Sequence, residues 1–323
     1  MRVLITGMGG ELGTRIANIL ERDSRVEAVF GVDVDPPRRR LHRAEFHWID
    51  PRDAAGIAQL ARELQPTALV HLGVYEPFAR SSPRSAVERT AKGSIAVLEA
   101  VAATGSLDRI VVRSGIEIYG RRQGSPQCPD EDVVPDPTTP FGHVLRYTER
   151  LAQEFGISSA VPTTLLRFAP LVGPHFPSPL GRYLRLPVVP FSVMGDRPFS
   201  VLHQEDASRA IVAALRSPFD GPVNVVGEGA VTVSQAARLG GRIPLPLAGP
   251  IWRTSRFVSE LVGAPVPEHI QELLVRGRTA DGSRAGERLG VAPRYTSRAV
   301  IESLFDWAEV TYLAVADAEE VPS

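Results

Sequence analysis

The amino-acid sequence predicts an α/β fold, in which a doubly wound parallel sheet is combined with a smaller C-terminal α/β lobe. Short β-branched runs alternate with helix-period segments as far as residue 168, which is typical of parallel strands joined by right-handed crossovers. A glycine-rich turn directly follows the first of these runs. Beyond residue 170 the alternation stops, and proline becomes dense at 174–198 and 244–267, which predicts loops and short elements.

The elements are predicted in chain order from these patterns. Strands are expected at 2–7, 28–33, 45–50, 68–73, 109–114 and 163–168. Helices are expected at about 11–22, 53–64, 86–103 and 140–155. A helix at 205–216 and a strand at 222–227 are expected to return to the main sheet, and 249–263 has the apolar spacing of a lobe helix. The predicted domains are therefore 1–170 with 200–227, a lobe at 171–199 and 228–315, and a tail at 316–323.

Composition narrows the class of protein. A hydrophobic fraction of 43% and a charged fraction of 23% are typical of a soluble globular chain. A net charge of −1 creates no field that would attract nucleic acid or an acidic membrane. No apolar run approaches the roughly 18 residues of a membrane span, and no signal peptide or metal site is predicted. Because Cys128 is the only cysteine, an internal disulfide is excluded and a cytoplasmic location is expected.

The glycine-rich turn predicts a dinucleotide site of the Rossmann type. In "LITGMGGELG", Gly7, Gly10 and Gly13 let the backbone approach a pyrophosphate, and the following helix N-terminus supplies N–H groups. Asp33 ends the second strand, where a carboxylate accepts from the adenosine ribose and repels a 2′-phosphate, so NAD is favoured over NADP. The predicted contacts in the loop are Gly7, Met8, Gly9, Gly10, Glu11, Leu12 and Gly13. Alternatively, Arg38, Arg39 and Arg40 meet a phosphate, although a solvated surface run explains them better.

Several motifs in the same order and spacing resemble the extended short-chain dehydrogenase/reductases, the NAD-dependent nucleotide-sugar epimerase and dehydratase group. The motifs are TGxxGxxG at the first turn, "WID", "VHLGVY", "TAKGSIAVLEAV", "RSGIEIYG", "LLRFAPLVGP", "VLHQEDASRAIVAAL" and "ADGSRAGERLGVAPRYT". The resemblance implies that Asp50 contacts the adenine and that Leu72 and Gly73 contact the cofactor. It also implies a small-molecule ligand such as a nucleotide sugar, and a homodimer that uses the 140–155 helix.

The resemblance also indicates where the family's chemistry would reside. The family uses a Tyr, a Lys one helical turn later and a Ser or Thr at the end of the fifth strand. These positions fall on Phe141, Leu145 and Gly115, and Glu149 matches the Glu that usually follows the Lys by four residues. Of the 36 basic residues only Lys92 is a lysine, so no shift of the alignment restores a Tyr–Lys pair. We therefore expect that ordinary epimerase activity is lost.

Two functional hypotheses follow. In the first, an enzyme works with rearranged acid–base groups: Tyr75 after the fourth strand and Glu117 after the fifth, for which a packed aromatic and a solvated carboxylate are the structural alternatives. In the second, the chain binds NAD without catalysis, as a sensor or scaffold, and this hypothesis is slightly favoured. For either, Arg197, Arg276 and Arg278 are candidate diphosphate contacts, with surface ion pairing as the alternative.

Overall fold

The computed structural model describes residues 1–174, 176–248 and 264–306. Within these residues the strands are β1 (Arg2–Thr6), β2 (Ala28–Asp33), β3 (Glu45–Trp48), β4 (Ala68–His71), β5 (Arg109–Gly115), β6 (Thr163–Phe168), β7 (Leu171–Val172), β8 (Val188–Ser192), β9 (Leu202–His203), β10 (Gly221–Val225) and β11 (Ile243–Leu247). The α-helices are α1 (Glu11–Leu20), α2 (Ala54–Leu64), α3 (Pro83–Ala102), α4 (Pro140–Ser159), α5 (Pro179–Leu184), α6 (Gln204–Arg216), α7 (Val233–Leu239), α8 (Glu268–Arg276), α9 (Ser283–Leu289) and α10 (Ser297–Ser303). The helix predicted at 249–263 and the tail predicted at 316–323 lie outside the described residues.

A seven-stranded sheet with the order β10-β6-β5-β4-β1-β2-β3 forms the centre of the molecule. Each neighbouring pair in it is parallel. The central strands β1, β4 and β5 are almost wholly buried, as expected where helices cover both faces of a parallel sheet. The predicted fold class is confirmed, and β10 joins the sheet beside β6 as predicted from 222–227.

Local sequence signals determine where the helices that line the sheet begin. Ser82 caps α3 through its side chain, with Pro83 in the first turn. Thr139 caps α4 in the same way, ahead of Pro140. A hydroxyl at the N-cap satisfies a free N–H, and proline at N1 loses no hydrogen bond. The cap at Ser82 explains why α3 begins three residues before the predicted start at 86.

A separate apolar core lies outside the main sheet. It contains Tyr183, Phe199, Ile270 and Leu273, all nearly inaccessible to solvent. Two small parallel sheets, β8 with β11 and β7 with β9, accompany it. Except for β9, which lies in the segment 200–227 assigned to the main domain, these elements come from the segments assigned to the lobe, and the domain boundaries stay a prediction. None of the described helices is long and apolar enough to span a bilayer.

Candidate functional site

The glycine loop after β1 is shaped for a close approach by a ligand. The Gly10 N–H donates to the Gly7 carbonyl at 3.1 Å, and a Cβ on residue 13 would collide with that same carbonyl oxygen. Helix α1 then begins at Glu11 without a side-chain cap on its first amides. Uncapped N–H groups and the positive end of the helix dipole suit an anionic pyrophosphate, so the residues present fit a dinucleotide.

Asp33 stands at the carboxyl end of β2, within reach of this loop. Its carboxylate accepts from the Gly9 N–H at 3.0 Å and from the Val34 N–H at 2.7 Å. Burial raises the pKa of Asp33, although these backbone donors act in the opposite direction. The side chain is 5% exposed, so the loop and the strand end hold it in one position beside the ligand space.

A cleft of about 230 Å³ follows this edge of the sheet, and we call it the cofactor cleft. Its lining includes Gly7, Gly10–Gly13, Asp33, Val34, Asp35, Leu72–Glu76, Arg80, Arg89, Arg113 and Phe176. Eight of the predicted cofactor contacts therefore line it: Gly7, Gly10, Glu11, Leu12, Gly13, Asp33, Leu72 and Gly73.

Three predicted cofactor contacts do not line the cleft. Met8 is fully buried and packs against Gly31, because its side chain points into the sheet. Gly9 uses its N–H to hold Asp33. Asp50 accepts from the Arg52 guanidinium at 2.5 Å, which lowers the pKa of this carboxyl.

The basic run at 38–40 lies at the surface. Arg38, Arg39 and Arg40 are all exposed, and the Arg39 guanidinium pairs with Glu11 at 3.3 Å. This ion pair agrees with the reading of a solvated run. At the end of β2 the carboxylates of Asp33 and Asp35 line the cleft, and none of these three arginines does.

Tyr75 lines the cofactor cleft, but it is absent from the residues around Phe141 and Leu145. The guanidinium of Arg89 lies 5.8 Å from its ring centroid. Burial, and to a smaller extent the charge of Asp33, raise the pKa of the Tyr75 hydroxyl. The structure therefore places this phenol on the Asp33 side of the cleft, and its role as an acid stays a prediction.

A series of hydrogen bonds between buried polar side chains holds the backbone that lines the cofactor cleft. Thr6 Oγ1 lies 2.8 Å from His71 Nδ1, and Ser94 Oγ lies 2.9 Å from His71 Nε2. Because Ser94 donates its own proton to the Thr90 carbonyl, its oxygen accepts from His71, which places the His71 proton on Nε2. Thr6 also accepts from the Gly73 N–H at 3.3 Å, so this series of hydrogen bonds holds the backbone that lines the cleft.

This series of hydrogen bonds makes stability depend on pH. Burial lowers the pKa of His71 to about 4, whereas in the unfolded chain it titrates near its ordinary value of about 6.5. Between these values only the unfolded state binds the proton, so the free energy of unfolding should fall as the pH drops, by up to roughly 1.4 kcal/mol per pH unit. Urea unfolding of the wild type and His71→Asn over this range tests the effect. Parallel pH profiles for the two proteins would contradict it.

A smaller cavity of about 20 Å³ continues from the cofactor cleft, and we call it the inner pocket. It is lined by Val74, Glu76, Arg113, Ser114, Gly115, Glu117, Phe141, Leu145 and Phe168–Leu171. The three positions assigned to the family's triad thus meet in one place. A Cβ on Gly115 would collide with the Glu117 carboxylate and lie 3.2 Å from Leu145, so a larger residue here would require the end of the Glu117 side chain to move.

Glu117 lines the inner pocket, but its charge already has a partner. Arg278 lies 3.5 Å from it and donates to Glu272 at 2.6 Å. The other two predicted diphosphate arginines lie elsewhere: Arg276 donates to the Arg121 carbonyl, and Arg197 is exposed. None of the three lines the cofactor cleft or the inner pocket.

Sequence reasoning did not single out three charged or polar residues at this junction. Glu76 and Arg113 line both cavities. His269 of α8 lies 3.2 Å from Glu76 through Nε2, and its ring centroid is 4.6 Å from that of Phe141. An arginine inside a buried parallel strand is itself unusual and was a usable signal for Arg113. No local pattern could have joined His269 to Phe141.

The register of α4 is anchored by a buried ion pair. Glu149 accepts two hydrogen bonds from Arg167 of β6, at 2.8 and 3.0 Å, and both side chains are 4% exposed. Arg167 also donates to the Tyr119 hydroxyl at 2.9 Å. Since Glu149 follows Leu145 by one helical turn, this pair orients the face of α4 that meets the inner pocket.

Comparison with known proteins agrees with this geometry. Residues 3–227 match the model of the NAD dependent epimerase/dehydratase family. An uncharacterised protein of Mycobacterium tuberculosis is 28% identical over 317 residues, which cover 94% of this chain and 83% of that protein. The solved UDP-glucose 4-epimerase of Thermotoga maritima shares the fold with a TM-score of 0.73 at 21% identity, covering 94% of this chain and 97% of the other. The NAD complex of UDP-glucuronic acid 4-epimerase from Bacillus cereus does so with a TM-score of 0.72 at 19% identity and the same coverage. The predicted family is confirmed, and with it NAD as the family's cofactor: the chain belongs to the NAD-dependent epimerase/dehydratase family.

Proposed function

We propose that this protein binds NAD(H) and a small metabolite in adjoining cavities, and that it does not transfer hydride by the Tyr–Lys mechanism of its family. The proposal rests mainly on the identity of the side chains that α4 presents to the inner pocket. Phe141 and Leu145 line it at the positions where relatives carry Tyr and Lys. The buried Glu149–Arg167 pair supports this register of the helix.

The residues that would hold NAD are those of the glycine loop and β2. The uncapped N-terminus of α1 would bind the pyrophosphate, and Asp33 would accept from the adenosine ribose. When bound, NAD supplies a hydride acceptor or donor, and a protein group must then move the proton of the reacting hydroxyl or carbonyl.

Among the described residues that line the inner pocket, none is a Tyr or a Lys that could move that proton. Phe141 has no hydroxyl, Leu145 has no charge, and the carboxylate above Gly115 is engaged by Arg278. The sole lysine, Lys92, is on α3 and pairs with Glu88 at 2.7 Å on the surface. Since a positioned acid–base group contributes about 10²–10⁴ in rate, losing the whole set leaves the ordinary reaction negligible.

A nucleotide sugar is one candidate for the second ligand, because the solved UDP-sugar epimerases share this fold. The three arginines predicted to contact the diphosphate of such a ligand differ in how far other groups already engage them. The charge of Arg278 is compensated by Glu117 and Glu272. Arg276 and Arg197 are both exposed, but Arg276 donates to a backbone carbonyl and neither lines the cofactor cleft or the inner pocket.

A second candidate function is catalysis with a rearranged acid. It is favoured by one observation: the Glu117 carboxylate occupies the space beside Gly115, where relatives carry the Ser or Thr side chain. A carboxylate there lines the inner pocket, which shares Glu76 and Arg113 with the cofactor cleft and would thus adjoin a bound cofactor.

Two measurements on the purified full chain separate these functions. We expect calorimetry to show saturable binding of NADH or NAD⁺, and we expect no C4 epimerisation of UDP-glucose above a blank without enzyme. Sustained turnover would overturn the first proposal. It would support the second if Glu117→Gln abolished it while Glu154→Gln, an exposed change on α4, left it intact. Absence of binding by either nucleotide would overturn both.

A further inference from the structure

We propose that the junction of the inner pocket and the cofactor cleft binds a small zwitterionic metabolite, an α-amino acid. Arg113 would bind its carboxylate and Glu76 its ammonium group. The inference rests on the proposed function, in which a second ligand lies beside NAD, and it names the chemistry of that ligand.

Arg113 is a cation with donors to spare. It stands within β5 at the centre of the sheet, is half-buried, and lines both cavities. In the described part of the chain its guanidinium makes one long hydrogen bond, to the Val74 carbonyl at 3.4 Å, and has no carboxylate within 4.0 Å. Burial lowers the pKa of Arg113, yet an arginine remains charged in proteins. A guanidinium with five N–H donors is therefore left to bind a planar anion such as a carboxylate.

Glu76 supplies the opposite charge from the loop after β4. It also lines both cavities and is 14% exposed. His269, 1% exposed and packed on the Phe141 ring, contacts one carboxylate oxygen at 3.2 Å. That contact positions the side chain, while a carboxylate offers about four acceptor sites in all. The remaining sites are free to accept from an ammonium group in the pocket.

The two charges line one cavity without pairing with each other, since no atoms of Arg113 and Glu76 lie within the 4.0 Å of an ion pair. A zwitterion satisfies both at once. A neutral sugar would satisfy neither charge, and a dicarboxylate would be repelled by Glu76 and Glu117. The buried Ser114 hydroxyl, which has no hydrogen-bond partner in the described residues, adds a polar contact to the same lining.

The size of the pocket points to the same class of ligand. The inner pocket, at about 20 Å³, is far below the range of about 300–1,000 Å³ typical of ligand sites, so a ligand at the junction has to be small and to lie mostly in the cofactor cleft of about 230 Å³. Helix α8 limits it on the lobe side, where His269 covers Phe141 and Arg278 meets Glu117. An amino acid matches this space better than a nucleotide sugar does.

The experiment uses the full chain saturated with NADH. Thermal shift against the standard L-amino acids, with UDP-glucose in parallel, should show a saturable rise in Tm for at least one amino acid. The best of them is then measured by calorimetry. Its α-hydroxy analogue, which keeps the carboxylate but lacks the ammonium group, should bind the wild type about 10–100-fold more weakly.

Variants identify the two contacts. Arg113→Gln should weaken the amino acid about 10–100-fold, and Glu76→Gln should remove the preference for the amino acid over its hydroxy analogue. Arg150→Gln, an exposed change on α4, should leave both affinities unchanged. No amino acid raising Tm, or equal affinities for the amino acid and its hydroxy analogue, would overturn the inference. NADH binding is measured on the same samples, so that the two proposals are tested separately. If NADH binds but no amino acid does, only this inference is contradicted. If NADH does not bind, the proposed function is contradicted.

Discussion

Replacing Glu149 by alanine is expected to lower the free energy of unfolding by about 3–5 kcal/mol. The change leaves Arg167 buried, 4% exposed, without the carboxylate that receives two of its hydrogen bonds. An uncompensated buried charge is far more costly than a missing surface contact. Because typical domains are stable by only about 5–15 kcal/mol, the variant should unfold at a markedly lower urea concentration.

The same helix offers a matched control. Glu154 also pairs with an arginine, Arg150, but the two side chains are 66% and 68% exposed. Glu154→Ala should change stability by no more than about 0.5 kcal/mol. Equal urea midpoints for the two variants would mean that the Glu149–Arg167 pair does not hold α4 in its register.

Asp33→Ala is expected to weaken NADH binding about 10–100-fold. The change removes two interactions. The ribose hydroxyl loses its acceptor, and the Gly9 N–H loses the Asp33 carboxylate to which it donates at 3.0 Å. A hydrogen bond to a charged group is worth about 1.5–3 kcal/mol, which corresponds to this range of affinity. Calorimetric titration with NADH measures it directly.

The affinity for NADPH, which carries a 2′-phosphate, provides a second test of the role of Asp33. Because a carboxylate repels that phosphate, Asp33→Ala should narrow the preference for NADH over NADPH. Asp136→Ala, an exposed carboxylate that pairs with Arg122, serves as the control and should leave both affinities unchanged. Unaltered NADH affinity in Asp33→Ala would remove this residue from the cofactor site.

The sequence alone predicted most of the fold because its signals are local. The strands of the main sheet occur where β-branched runs were found, and α4 begins at Pro140 as its cap and proline predict. The errors are a few residues at element ends, as at α3, where Ser82 and Pro83 start the helix earlier.

The candidate site was predictable only in part. The glycine loop and Asp33 could be predicted because a strand, a turn and the start of a helix follow each other directly in the chain. Tyr75 was correctly expected at the ligand edge of the sheet, since it follows β4. Its side chain lines the cofactor cleft and is absent from the lining of the inner pocket around Phe141. A position after a strand does not reveal which of the two cavities a side chain lines.

From the sequence we predicted the α/β fold and the dinucleotide loop, and the family resemblance assigned Phe141 and Leu145 to the positions of Tyr and Lys. The charges that surround these two residues became known from the folded structure alone. Arg278 reaches Glu117, and His269 reaches Glu76 and Phe141, across more than a hundred residues of chain. The physical reason is that helix and strand formation follow from neighbouring residues. The compensation of a buried charge depends instead on groups that packing brings together from distant segments.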